Sequence, residues 1–231
     1  DVASGKTLTF DNGTISTESY QLTLEGAGTV AFPANASGIV VNNAAGLLKL
    51  NGTGTVQAAR VTADSNTGKG LAVNASSTIS SLTVSADTEL NIAGGKTLSG
   101  STEVAANKTL SLSGTGTLGS ALKLEGTLEA EANLEVSGTI SVADNNATVS
   151  IPASGTTLSY SGGNLTVGAH TLAIGGAGTF SNSSGTSSDG ITWAGASPII
   201  LDLPDSILDL TGSGTISGPV LLEGGTLKAS G

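Results

Sequence analysis

Cysteine is absent from this 231-residue chain, and so is methionine. No disulfide framework and no thiolate metal site can therefore be built. Aromatic residues make up 3%: Phe10, Phe32, Phe180, Tyr20, Tyr160 and Trp193. Large rings supply much of the buried area of a thick core, so the interior here must come from Leu, Ile, Val and Ala. That suits a thin core.

Charge is scarce as well, at 11% of residues against a usual share of about 25%. Ser and Thr fill the gap. A disordered chain would be polar and highly charged, which this one is not. The formal net charge of −10 argues against nucleic acid and anionic lipid as partners, since neither polyanion gains counterion release here. Arg60 is the single arginine and His170 the single histidine. A guanidinium-lined phosphate site is thus disfavoured, and a three-imidazole metal centre is excluded. No apolar run reaches the ~18 residues of a membrane-spanning helix, so no membrane insertion by these residues is expected. The chain opens at Asp1 without Met, as a processed, exported product or a trimmed segment would.

What is abundant is alternation. KTLTF (6–10), YQLTL (20–24), TLSL (109–112), ALKL (121–124), TVSI (148–151), TLSY (157–160) and ILDL (207–210) place apolar and polar residues in turn, the period of a strand with one buried face. Gly- and Asn-rich breaks such as DNG (11–13), NGTG (51–54), AGG (93–95) and SGTG (113–116) separate them; these residues tolerate positive φ and mark turns. Strands of three to five residues are expected, and no dozen-residue window carries helical periodicity. The chain reads as all-β.

One nine-residue template recurs: LTLEGAGTV (22–30), LKLNGTGTV (48–56), LSLSGTGTL (110–118), LAIGGAGTF (172–180) and LDLTGSGTI (208–216). The starts at 22, 48, 110, 172 and 208 give intervals of 26, 62, 62 and 36, and two equal intervals of 62 suit three rungs of about twenty residues. A second motif, Lys-Thr-Leu after a turn, occurs at 6–8, 96–98 and 108–110, with variants at 156–158 and 170–172. The strands are short and aliphatic for a sandwich, whereas stacked rungs pair every backbone group with the rung above and below. The expected fold is a single parallel β-solenoid domain over 1–231, of roughly nine to eleven rungs with uncapped ends. A Ser/Gly-rich loop excursion is expected at 181–198. A β-sandwich or antiparallel hairpin stack, with GTGT as a hairpin turn, is the alternative. Within the template, Leu110, Leu112 and Leu118 should face inward, Ser111 and Thr117 outward, with Gly-x-Gly at a corner.

SGTGTL, GAGTV, GAGTF and SGKTL resemble the autotransporter-associated β-strand repeats and the pectin-lyase-like surface proteins of bacteria. That resemblance implies a parallel β-helix passenger at a cell surface. It covers about a third of the chain and includes no membrane-barrel translocator.

Candidate chemistry is thin. GTGTLG (114–119) matches a dinucleotide fingerprint in letters, but the mechanism needs a helix after the last glycine and SALKLEGTL reads as strand. GKT at 5–7 and 95–97 lacks the upstream glycine of a phosphate loop. His170 occupies the slot of Lys6, Lys96 and Lys108 and reads as a solvated turn residue. Asp202, Asp205 and Asp209, like Glu125, Glu129, Glu131 and Glu135, alternate with apolar residues. They read as a solvated face, not as the unlike carboxyl pair of acid–base catalysis. Weak surface Ca²⁺ binding is the most such acids suggest. No cofactor, no catalytic residue and no metal site are assigned, and no enzyme is expected. Sequons at Asn12, Asn35, Asn51, Asn74, Asn107, Asn146, Asn164 and Asn182 are candidate glycosylation points. Trp193 is a candidate exposed anchor in the 181–198 loop.

The expectation for function is a secreted or cell-surface structural protein. It would be a head-to-tail fibre subunit or a stalk segment of a larger adhesin, whose partners are copies of itself or flanking repeats joined by edge-strand pairing. A glycan- or ice-binding module is the alternative, since Thr-x-Thr pairs occur at 7/9, 53/55 and 115/117, though they look scattered along the chain. A polysaccharide lyase or hydrolase stands last.

Overall fold

A computed structural model describes residues 1–11, 13–32, 38–64, 69–162, 165–182, 199–201, 207–211, 215–217, 220–222 and 226–230. Among them are strands and no helix, and every pairing between strands is parallel. Hairpins need antiparallel neighbours, so the sandwich and hairpin-stack alternative is excluded. The chain is a parallel β-solenoid.

Each turn has three faces. In the first turn they are Thr7–Thr9 (face I), Ile15–Ser16 (face II) and Gln21–Leu24 (face III). Face III is a ten-stranded sheet with one strand from each turn, so the column is ten turns deep, about 45 Å at the usual inter-strand spacing. Faces I and II belong to one 17-stranded sheet, because in turns 3–5 a single strand runs through both: Thr55–Val61, Ser77–Val84 and Thr97–Val104. These strands of 7, 8 and 8 residues exceed the expected three to five. Ser80 and Ser81, consecutive and both exposed, mark where such a strand bends from one face to the next. The two 62-residue intervals do span three turns each, and the intervals of 26 and 36 span one.

Like stacks on like. On face II, Ile39, Ala59, Leu82, Thr102, Leu122, Ile140 and Leu165 occupy one register column and are all buried. Tyr160 and Phe180 stack inside the column with ring centroids 6.2 Å apart. The Ile140 N–H donates to the Tyr160 hydroxyl at 3.2 Å, which gives that ring a polar partner in the interior.

The recurrent template is a corner. Leu110 and Leu112 lie in the face III strand Thr109–Gly114 and Leu118 in the face I strand Thr117–Leu118; all three are buried, while Ser111 and Thr117 are half-exposed, as the alternation predicts. Gly114 takes φ +82°, and a Cβ there would lie 2.1 Å from the Ile92 carbonyl oxygen of the turn below. At Gly116, whose φ is ordinary, the added carbon would meet Ile92 Cγ2 at 2.4 Å. One glycine is required for conformation as well as proximity, the other for proximity alone. The Lys-Thr-Leu motif is a second device. Ala3–Lys6, Ala93–Lys96, Ala105–Lys108 and Ala153–Thr156 each close a turn by a backbone N–H to carbonyl bond of 3.0–3.2 Å. Their third residues, Gly5, Gly95, Asn107 and Gly155, all have positive φ, which explains the asparagine at 107.

Thr102 breaks the aliphatic column on face II. It is 2% exposed and its Oγ1 is buried without a hydrogen-bond partner. Since an unsatisfied buried hydroxyl costs about 1–3 kcal/mol, Thr102→Val, which keeps the shape, is expected to raise stability by about 1–2 kcal/mol. A denaturation midpoint that falls or stays put would contradict this.

Candidate functional site

Two polar constellations project from the described surface. At the corner between faces II and III, Lys123 Nζ lies 2.6 Å from Glu125, 2.7 Å from Asp144 and 3.5 Å from Glu103. Asn145 Nδ2 donates to Glu125 at 2.9 Å. Three successive turns supply this group: turn 5 gives Glu103, turn 6 Lys123 and Glu125, turn 7 Asp144 and Asn145. Hydrogen bonds donated to Asp144 and then to Glu125 push the Lys123 ammonium above the ordinary lysine range. In return, the Lys123 hydrogen bond and charge hold the Asp144 carboxyl below its usual value, with a smaller contribution from the charge of His170. The pairing is therefore complete at neutral pH. It is lost only as pH falls through the lowered Asp144 value or rises through the raised Lys123 value. In an NMR titration the Asp144 midpoint should lie below the ordinary aspartate range and return to it in Lys123→Met. An unshifted midpoint in the parent chain would refute the pairing.

The second constellation lies on face I. Thr115, Thr117, Asn133, Glu135, Thr157 and Ser159 line an open groove of about 470 Å³. Glu135 is half-buried and accepts hydrogen bonds from Thr117 Oγ1, at 3.4 Å, and from Ser161 Oγ. Asn133 Oδ1 accepts the Thr157 N–H at 2.7 Å.

Among the described residues, the acidic residues read from the sequence do not converge. Glu125 belongs to the Lys123 corner. Glu129 stands on face III between Ser111 and Ser150 in register, Glu131 is an exposed corner residue, and Glu135 is on face I. Asp209 pairs by backbone with Ala173 and Lys228; Asp202 and Asp205 lie outside the described residues. Among the described residues no three His, Cys, Asp or Glu side chains are grouped as a metal ligand set. The 114–119 glycine run passes into the strand Thr117–Leu118 and has no helix to face a pyrophosphate.

Asn51, Asn74, Asn107 and Asn146 are exposed corner residues. Asn74 Nδ2 donates to Asn51 Oδ1 at 3.0 Å, and Asn146 Oδ1 accepts the Thr171 N–H at 2.9 Å. Asn12, Asn35, Asn164 and Trp193 lie outside the described residues. Asn182 ends the strand Thr179–Asn182, so the expected excursion at 181–198 yields its first two residues to face I, and its remainder lies outside the described residues.

The Thr-x-Thr pairs do not line up, since Thr9 stands in register with Ala31 and Thr117 with Glu135, but single threonines do. Thr7, Thr29, Thr55 and Thr78 share one column on face I, and Thr157, Thr179 and Thr215 share another. Turn lengths vary, which hides this alignment from a linear reading. No family model, no curated protein and no solved structure matches the chain.

Proposed function

We propose that the chain is a rigid structural segment of a secreted or cell-surface protein, either a fibre subunit or the stalk of a larger adhesin, similar in kind to autotransporter passengers. We read it as non-catalytic, with no cofactor. One observation carries this: the exposed large hydrophobic residues are Leu8 at 48%, Tyr20 at 75% and Leu227 at 45%. The first two belong to turn 1 and the third to turn 10. Turns 2–8, between these ends, show none among the described residues. Apolar surface on open strand edges invites pairing with a further strand, so the column is suited to continue along its axis. The added turns can come from the same polypeptide or from another copy. Low charge, abundant hydroxyls and an acid cluster that is neutralised by Lys123 fit a passive extracellular rod better than an enzyme.

Concentration-dependent small-angle scattering tests axial association. The expected result is a rod whose length grows with concentration at constant cross-section, and Leu8→Lys with Tyr20→Lys should halt that growth. Growth in cross-section, or growth indifferent to these changes, would contradict end-to-end contact.

A further inference from the structure

We propose that face I of turns 6–9 binds a linear, neutral oligosaccharide laid along the column axis. This site uses different residues from the rod reading and stands or falls separately.

Two outward columns meet there. Thr117, Glu135, Ser159 and Ser181 are in register over four consecutive turns. Beside them run Asn133, Thr157 and Thr179, the first joined to the second by its side-chain hydrogen bond. Positions two apart on one strand lie about 7 Å from each other, and successive turns about 4.8 Å. The result is a grid of polar groups with a repeat near the length of one sugar unit in an extended chain.

The groove is chemically mixed in the way a polyol requires. Glu135 is gripped from both sides, by Thr117 of the turn below and Ser161 of the turn above. Its carboxylate is thereby oriented while keeping lone pairs for incoming hydroxyls. Fixing Asn133 through its oxygen leaves the amide nitrogen to donate. Threonine and serine hydroxyls both donate and accept.

Charge selects among saccharides. No Lys or Arg lines the groove, and the one ion there is a carboxylate, so uronate and sulfated chains are repelled. No aromatic ring lines it either, so a sugar finds no stacking partner, and binding must accumulate over several turns. An ice plane is a poor occupant, because the face holds a carboxylate whose hydration a flat lattice cannot replace.

The test is an NMR titration of the whole chain with cellohexaose, maltohexaose, mannohexaose and N-acetylchitohexaose, with an oligogalacturonate of equal length as the anionic comparison. At least one neutral hexasaccharide should bind in the millimolar range and shift amides of turns 6–9. Thr157→Val combined with Ser159→Ala should weaken that binding about tenfold or more. Thr29→Val, on the same face in turn 2, should leave it unchanged, and amide spectra elsewhere would verify folding. The proposal is overturned if none of the four neutral chains binds. It is equally overturned if the oligogalacturonate binds as well as they do, if the double variant binds like the parent, or if the parent shows thermal hysteresis that the double variant lacks.

Discussion

Gly114→Ala is expected to lower stability by about 3–5 kcal/mol, and Gly95→Ala by only about 1–2 kcal/mol. Both residues occupy the left-handed region, at φ +82° and +68°, so the conformational penalty of a Cβ is common to the two. Their surroundings differ. Nothing lies within 4 Å of a Cβ at Gly95, whereas at Gly114 that atom would sit 2.1 Å from the Ile92 oxygen. The same oxygen accepts the Gly116 N–H at 3.1 Å, so relieving the clash opens the hydrogen bond that ties two turns at the corner. Backbone cannot swing aside as a side-chain tip would. Denaturant titration of the two variants measures the difference, and equal losses would show that the corner is not closed against the turn below.

Leu112→Ala should cost about 3–5 kcal/mol. Leu112 is 1% exposed and stacks between Leu90 and Ala130 in its column. The alanine on one side is too small to fill the space left behind, so a cavity persists and adds to the lost transfer energy. Because each turn touches only its neighbours, the damage should be local. Hydrogen exchange is expected to quicken in turns 4–6 first, with turns 2 and 8 holding their protection longest. Leu8→Ala, at a residue 48% exposed, should change stability little. Uniform loss of protection throughout the chain would mean that the column is one indivisible unit.

The alternation of segments such as TLSL and TVSI foretells which side chains point inward, because a pleated strand has a period of two whatever it pairs with. The template foretells its corner for a similarly local reason: two glycines and a flanking strand are enough to specify it. Period two does not say which strand lies above which. Thr157, Thr179 and Thr215 share a column although they lie 22 and 36 positions apart in the sequence, and only the varying turn lengths relate them. The Lys123 corner was missed for the same reason. Glu103 and Asp144 are 20 and 21 residues from Lys123, and only a known turn length brings them together. The doubled serine at 80 and 81, where alternation pauses, is the bend between two faces.

In a stacked column, residues of one face are separated by distances proportional to the turns between them. Ser16, Arg60 and Thr166 are exposed and belong to one outward column of face II, in turns 1, 3 and 8. Since the chain has no cysteine, paired cysteines at these positions can be spin-labelled without a background. Pulsed dipolar spectroscopy should give about 24 Å between positions 60 and 166 and about 34 Å between 16 and 166. Equal separations, or a shorter one for the pair more turns apart, would contradict the stacked column.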